Sequence, residues 1–304
     1  MIVSANFMTD FKPIFVREEV IKSTREFFYA KNFHEVIVPV LNDAVPFEPQ
    51  LSPFTTLRNS LEGAKKQYLS LSPERGLKRM LATGMGSCFA LGKSFRNLEN
   101  TGTQHIPEFL MLEWYRENAD CHLIMEDAEE LILFIQKRCN GIASSFPPLA
   151  TTSGWRRISL DELLKKRLGS DYERIMYDDA KGWRERFDQL FVNEIESRFP
   201  KEPFFLTDFP ARISPLCKLQ KERPQLAERF ELYLNGVEVG NGNMENTDAD
   251  SVRKALGEPV DETFLSALKK MSSKTYAGMG LGIDRLAMIF SGVKNIREVE
   301  ILVQ

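Results

Sequence analysis

The chain is poor in the residues that mark disulfide-linked and zinc-binding proteins. It has 304 residues but only four cysteines and three histidines. The cysteines stand at positions 88, 121, 139 and 217 and form no CxxC pair. This spacing argues against both a zinc site and a disulfide framework, and it favours a reducing cytoplasm.

Long apolar runs and a strong charge excess are missing as well. The longest apolar run, LILFI near residue 133, is far too short to span a bilayer, and the N-terminal MIVSANFMTDF has no basic region followed by an apolar stretch. Membrane insertion and secretion are therefore not expected. A net charge of -3 lacks the basic excess typical of nucleic-acid binding, so small molecules or protein are the better partners to expect.

What the chain has is enough apolar material for a large core. Its composition is 43% hydrophobic and 27% charged, and no repeat, low-complexity tract or proline-rich linker divides it. We therefore predict one α+β domain over residues 1–304, with an antiparallel sheet flanked by helices.

Hydrophobic periodicity and capping residues give the elements. Helices are predicted at 13–31, 74–84, 122–138, 247–256 and 260–271 and from Asp284 onward, and a charged, mainly helical region at 145–203. Strands are predicted at EVIVPVL (35–41), FFLTDF (204–209), RFELYLNGVEVGNG (229–242) and YAGMGLGI (276–283). Asn235-Gly236 predicts a tight hairpin turn inside the third of these strands.

The most informative segment is a second predicted hairpin, made of SCFALGKSFRN (87–97) and PEFLMLEWYRE (107–117). Strand alternation puts Phe109, Met111, Glu113 and Tyr115 on one face, and Glu108, Leu110 and Leu112 on the other. Together with Arg96, these side chains suit a site for a nucleotide and then an ammonium. Taken alone, they fit ordinary core and edge positions equally well, so the hairpin needs partners elsewhere in the chain.

Three separated signatures supply those partners, and in this order they resemble class II aminoacyl-tRNA synthetases. KNFHEVIVPVL resembles motif 1, FRNLEN followed by HIPEF resembles motif 2, and GMGLGIDRLAMIF resembles motif 3. The resemblance implies the catalytic fold of that class. It also implies a homodimer, because Phe33 and Pro39 match the dimer-interface positions of motif 1.

Within the class, the resemblance narrows to lysyl-tRNA synthetase and to its paralogue that attaches lysine or β-lysine to translation elongation factor P. The segments that carry it are SPERGLKRML, PEFLMLEWYR, FPARISPL and RFELYLNGVEVGNG. Because the resemblance begins with the motif 1 helix, we expect a single catalytic domain without an anticodon-binding domain. We therefore expect elongation factor P as the acceptor, with tRNA binding unlikely.

The resemblance implies an ATP site and a Mg²⁺ site. Arg96 would contact the α-phosphate, and Phe109 and Arg285 would hold the adenine between them. Glu231 and Glu238 would bind Mg²⁺, although without the flanking motifs they would pass for exposed strand acids. The other residues that match ATP-binding positions are Glu99, His105 and Gly282.

The resemblance also implies an acidic pocket for lysine. Its positions match Glu74, Glu113, Tyr115, Asn241, Glu245 and Gly280. Glu113, Tyr115 and Glu245 would hold the distal ammonium, and Glu74 would lie near the amine at the other end. Glu74 also starts a predicted helix, where a favourable helix dipole explains an acid equally well.

Four features depart from the family pattern. The motif 2 loop between Arg96 and His105 is one residue longer than expected, which affects the assignment of Glu99. Gln104 replaces an arginine, Asn243 replaces an aromatic of the lysine pocket, and Gly280 matches lysyl-tRNA synthetases rather than the elongation-factor paralogue. The open alternatives are a lysine–tRNA ligase-like enzyme, a ligase for another amino acid, and an inactive regulatory paralogue.

Overall fold

The computed structural model describes residues 11–44, 51–61, 63–98, 102–142, 154–177, 182–257 and 260–300. The α-helices in those ranges are α1 Lys12–Ala30, α2 Glu74–Leu81, α3 Cys121–Cys139, α4 Leu160–Leu168, α5 Tyr172–Tyr177, α6 Trp183–Leu190, α7 Ala249–Leu256, α8 Glu262–Met271 and α9 Ile283–Ser291. The strands are β1 His34–Glu35, β2 Leu41–Asn42, β3 Thr55–Ser60, β4 Gly63–Leu69, β5 Cys88–Phe95, β6 Glu108–Glu117, β7 Arg156–Ser159, β8 Phe204–Pro210, β9 Leu226–Leu234, β10 Val237–Met244 and β11 Tyr276–Gly282.

Eight of these strands form one large sheet in the order β1-β5-β6-β11-β10-β9-β8-β7. The six inner strands, from β5 to β8, pair antiparallel, whereas the two edge strands, β1 and β7, pair parallel to their neighbours. The predicted α+β class with an antiparallel sheet flanked by helices is confirmed. A second, three-stranded sheet, β2-β4-β3, was not predicted.

Both predicted hairpins form. β5 pairs with β6 from Cys88 opposite Tyr115 to Phe95 opposite Glu108. β9 and β10 are joined at Asn235 and Gly236, whose φ angles of 54° and 75° belong to the left-handed region. Two successive positive φ angles are what a tight hairpin turn requires, and the Asn-Gly pair tolerates them best.

The predicted strand EVIVPVL is only partly correct. Strand structure is confined to β1 at one end and β2 at the other, and residues 36–40 between them belong to neither sheet. β1 pairs with β5 in the large sheet, whereas β2 pairs with β4 in the small one. Pro39 lies in the crossing segment, where its missing N–H costs no ladder hydrogen bond.

The prediction for residues 145–203 also needs a correction. Helices α4, α5 and α6 occupy much of it, but residues 156–159 form the edge strand β7, parallel to β8. Short 3₁₀ and π turns at Gly169–Asp171, Phe191–Ile195 and Glu196–Arg198 further interrupt the helices. A four-residue strand that begins with two adjacent arginines gives little periodic signal, which explains why the pattern missed it.

The main core lies between one face of the large sheet and helices α1, α3 and α9. Phe28 of α1 stacks on Phe89 of β5 at 4.9 Å between ring centroids and also packs on Trp114 of β6. These aromatic side chains are fully buried. The opposite face of the sheet is left for α2, α8 and the candidate site. In the described part of the chain, no helix is long and apolar enough to cross a membrane.

Candidate active site

Two adjoining cavities open on the sheet face opposite α1, α3 and α9. We call the first the acidic cavity; it has a volume of about 220 Å³ and is lined by residues that include Glu74, Glu113, Tyr115, Cys217, Arg229 and Asn243. We call the second the arginine cavity; it has a volume of about 210 Å³ and is lined by residues that include Gln104, His105, Phe109, Glu238, Gly282 and Arg285. Four residues line both cavities: Arg96, Met111, Asn241 and Gly280.

The register of the central strands explains why these side chains meet. Glu113 lies opposite Gly280, Gly280 lies opposite Asn241, and Asn241 lies opposite Glu231. Paired residues of neighbouring strands share a face, so all four positions lie on the site face. Because glycines occupy this row on β11, the cavity floor there is backbone, which leaves room for a ligand.

A β-bulge brings Glu238 onto the same face. Glu238 lies opposite Tyr233 and Asn241 lies opposite Glu231, and the register shifts between Glu238 and Gly240. Simple alternation would have put Glu238 and Asn241, three residues apart, on opposite faces. The extra residue in the bulge aligns them, a common use of bulges beside active sites.

Arg96 is the side chain that connects the two cavities. It follows β5, and its backbone N–H donates to the carbonyl of Pro107 at 3.0 Å. Its guanidinium lies 5.2 Å from the ring centroid of Phe109, and its Nε is buried without a hydrogen-bond partner among the described residues. An unsatisfied guanidinium nitrogen between two cavities is suited to bind an anionic ligand group.

Arg285 stands across the arginine cavity from the hairpin. Its Nη1 donates to the carbonyl of Glu238 at 2.5 Å, and its Nη2 lies 3.0 Å from Nε2 of His105. At the start of the same helix, the buried Asp284 accepts from the backbone N–H of Leu110 at 2.6 Å. These contacts fix the helix start to β6 and β10, so Arg285 and Phe109 line one cavity.

The two predicted metal ligands differ in position. Glu238 lines the arginine cavity, whereas Glu231 is buried and accepts from Arg229 at 2.7 Å and from the Tyr233 hydroxyl at 2.9 Å. Burial and the neighbouring Glu238 raise the pKa of Glu231 to about 7, against the effect of Arg229. Two neighbouring carboxylates form a set of hard oxygen donors that fits a divalent cation such as Mg²⁺.

In the acidic cavity, Glu113 and Tyr115 act as a pair. The Tyr115 hydroxyl donates to the Glu113 carboxylate at 2.5 Å, and both side chains are almost completely buried. Burial and the surrounding carboxylates raise the pKa of Tyr115 well above its ordinary value. The phenol therefore keeps its proton, and the pair presents oxygen acceptors to the cavity, as an ammonium ligand requires.

Behind this cavity, a buried lysine joins two of the predicted acids. Lys78, only 1% exposed, makes ion pairs with Glu74, four residues earlier on α2, and with Glu245 at 2.5 Å. The other oxygen of Glu245 accepts from the Asn243 amide at 3.2 Å. Burial alone would lower the pKa of Lys78, but the two carboxylates outweigh it and raise this pKa, so the ammonium stays charged.

The structure brings most of the predicted residues together. The predicted residues that line one or both cavities are Glu74, Arg96, His105, Phe109, Glu113, Tyr115, Glu238, Asn241, Gly280, Gly282 and Arg285. Glu231 and Glu245 lie behind the cavity walls. Glu99 falls outside the described residues.

Sequence reasoning missed Lys78, Arg229, Cys217 and Asp284. The spacing of Glu74 and Lys78 on a predicted helix was an available signal, because residues four apart share a helix face. Arg229 lies two residues before Glu231 on β9, so strand alternation, which puts the two side chains on one face, was a similar signal. Cys217 had no signal, and burial raises the pKa of its thiol to about 12, so it stays protonated.

This largely antiparallel sheet, with its two adjoining cavities, an arginine at the end of a hairpin strand and a second arginine at the start of α9, has the architecture of a class II synthetase catalytic domain. The chain belongs to the family of class II tRNA synthetases (D, K and N), whose model matches residues 9–303. The class II assignment made from the sequence is thereby confirmed.

Particular relatives are lysine–tRNA ligases. That of Carboxydothermus hydrogenoformans is 32% identical over 315 residues, and that of Pasteurella multocida is 33% identical over 317 residues. Each alignment covers 93% of this chain but only 63% and 62% of the relative. The chain thus spans just over three fifths of the length of these relatives.

Proposed function

We propose that this protein activates lysine or β-lysine with ATP, forming an aminoacyl-adenylate, and transfers the acyl group to a lysine side chain of elongation factor P. The observation that carries the activation step is the position of Arg96 in the wall of both cavities. A ligand carboxylate in the acidic cavity and an α-phosphate in the arginine cavity would meet at this guanidinium.

The arginine cavity suits the nucleotide. Phe109 offers a flat ring for an adenine, Arg285 a planar guanidinium, and His105 lies in contact with Arg285. Negative charge builds on phosphoryl oxygens during adenylation, and Arg96 and Arg285 are the cations available in this cavity to stabilise it. Mg²⁺, when bound by Glu231 and Glu238, would add Lewis-acid stabilisation of the same charge.

The acidic cavity suits an amino acid with two ammonium groups. Glu74 and Glu113 supply carboxylate acceptors in its wall, which Tyr115, Asn241 and Gly280 also line. Desolvated carboxylates are costly without cations, so such a cavity selects cationic ligands. The resemblance of the surrounding segments to lysine-specific family members, and the lysine–tRNA ligase relatives, support lysine.

For the acceptor, the four segments shared with the elongation-factor paralogue favour a protein lysine. A tRNA acceptor is the second candidate, favoured by the names of the relatives. A self-associated dimer is part of the proposal. It is supported by the motif 1 resemblance and by large apolar side chains that lie exposed at the N-terminal end of α1 and in the segment after β1, namely Phe11, Phe15, Ile37 and Val40.

The activation step is tested by lysine-dependent exchange of pyrophosphate into ATP. We expect exchange with the unmodified protein and its loss, by at least about a hundredfold, in Arg96→Ala and in Arg285→Ala, because each removes a cation from the developing charge. Arg184→Ala, an exposed arginine on α6, is the matched control and should leave exchange unchanged.

Robust exchange in both site variants would contradict the site. Absence of exchange with every amino acid and β-amino acid would instead favour a regulatory paralogue without activity. Where exchange is found, radiolabelled lysine offered with elongation factor P and with tRNA separates the acceptors. Labelling of tRNA but not of the factor would overturn the protein acceptor.

A further inference from the structure

Lys78 is a buried cation behind the wall of a cavity that we expect to bind cations. Its Nζ lies 2.5 Å from Glu245, is also paired with Glu74, and lies 5.8 Å and 5.6 Å from the ring centroids of Tyr115 and Phe264. Aromatic faces and carboxylates surround the ammonium. Neither Lys78 nor Glu245 lines the acidic cavity, whereas Glu74 does.

The ion pairs fix how much charge the cavity offers to a ligand. The charge of Arg229 is balanced by Glu231, 2.7 Å away. The charge of Lys78 balances one of its two carboxylate partners, Glu74 and Glu245. Glu74, Glu113 and Glu245 are three carboxylates, and Lys78 cancels the charge of one, so the net charge left is that of two carboxylates. A diamino acid brings two ammonium groups, and its own carboxylate is left for Arg96.

We propose that Lys78 is a specificity-determining residue, which neutralises Glu245 and orients Glu74 so that the cavity matches the two ammonium groups of a diamino acid. This inference rests on the proposed function and deepens it. It assigns the distal ammonium to Glu113 and Tyr115 and gives Glu245 a supporting role behind the wall. Lys78 acts through Glu74 and Glu245, and no contact of Lys78 with the substrate is required.

The test uses neutral variants of both partners. In Glu245→Gln, only Glu74 opposes the charge of Lys78. The net negative charge of the cavity therefore falls by one. We expect the KM for lysine in the exchange reaction to rise about tenfold, with the KM for ATP unchanged, because one desolvated charge contact is lost. Preference for lysine over norleucine, which lacks the side-chain ammonium, should fall by a similar factor.

Adding Lys78→Met to Glu245→Gln should reverse much of this loss. The double variant has two carboxylates and no internal cation, so its charge again matches a diamino acid. Its KM for lysine should be at least about threefold lower than that of Glu245→Gln. A purely structural role predicts the opposite, because a second cavity-forming change in the same cluster would add damage.

Lys165→Met is the matched control, since Lys165 forms an i,i+4 pair with the buried Asp161 on α4, away from both cavities. It should change neither KM. The unfolding temperature of each variant is measured to check that the variant is folded. A double variant no better than Glu245→Gln, or a folded Glu245→Gln with unchanged lysine preference, overturns the role of Lys78. An unmodified protein without lysine-dependent exchange overturns the proposed function itself, and the inference with it.

Discussion

Two glycines of β11 lie on the site face but have very different surroundings. A Cβ at Gly278 would lie 2.3 Å from the Tyr115 ring and 2.7 Å from the carbonyl of Trp114, whereas a Cβ at Gly280 would meet only the Met111 sulfur at 3.7 Å. The first glycine is required by packing against β6. The second leaves open space in the floor of the acidic and arginine cavities.

This contrast predicts that the same substitution affects stability at Gly278 and substrate preference at Gly280. Gly278→Ala should lower the free energy of unfolding by about 1–3 kcal/mol, because backbone and a buried ring must move. Gly280→Ala should leave stability within about 0.5 kcal/mol but project a methyl group into the acidic cavity and change the KM ratio of α-lysine to β-lysine. Urea unfolding measures the free energy of unfolding, and the exchange reaction measures the KM ratio. An unchanged ratio in a folded Gly280→Ala would show that this position does not select the amino acid.

At the scale of the element, α8 depends on one buried carboxylate at its N-terminus. Asp261 caps the helix by accepting from the backbone N–H of Thr263 at 3.0 Å, and it also binds Arg75 of α2 at 2.6 Å. Burial alone would raise the pKa of Asp261, but the hydrogen bonds from Thr263 and Arg75 outweigh it and hold this pKa below its ordinary value of 3.8. The contact therefore joins α8 to the helix that carries Glu74 and Lys78.

The sign of this shift predicts a pH dependence. A carboxyl with a depressed pKa in the folded state stabilises fully above its unfolded pKa, and this contribution is lost as the pH falls below about 3.9. Asp261→Asn should cost about 1–2 kcal/mol at pH 6 and less near pH 3. Urea unfolding at both pH values tests this. Asp248→Asn, which alters the exposed cap of α7, serves as the control, and a pH-independent deficit for Asp261→Asn would contradict the assignment.

At the scale of the whole molecule, the proposed dimer involves α1 and the segment that follows β1. Ile37 is 94% exposed, and Phe15 of α1 is 53% exposed. Large exposed apolar side chains are typical of surfaces that self-associate, which supports this part of the proposal. On the inner side of α1, Arg17 binds the buried Asp284 at 2.5 Å, so this helix is tied to the start of α9, next to Arg285.

The dimer predicts a clear outcome for a surface change. Ile37→Asp should convert a dimer to a monomer in sedimentation velocity without lowering the unfolding temperature, since the side chain contributes almost nothing to the core. Val192→Asp, at a 52% exposed apolar residue that follows α6, is the control and should leave the sedimentation coefficient unchanged. An unmodified chain that sediments as a monomer would contradict this part of the proposal.

The sequence by itself determined the elements whose information is local. Alternation put Phe109, Glu113 and Tyr115 on one face of β6, and Asn235-Gly236 specified the turn between β9 and β10. The ordered signatures identified the class II family that the comparison confirms. These features depend on neighbours along the chain or on short spacings, where side-chain direction follows from backbone periodicity. The roles of the site residues in binding and catalysis remain predictions.

Only the tertiary structure decided the contacts between distant segments. The bulge that aligns Glu238 with Glu231, the parallel edge strand β7 and the division of residues 34–42 between two sheets all depend on pairing partners far along the chain. The same holds for Lys78, which was recognisable as the i+4 neighbour of Glu74 but not as the partner of Glu245. A buried charge is stable only where folding supplies its counter-charge, and that arrangement exists only in the folded chain.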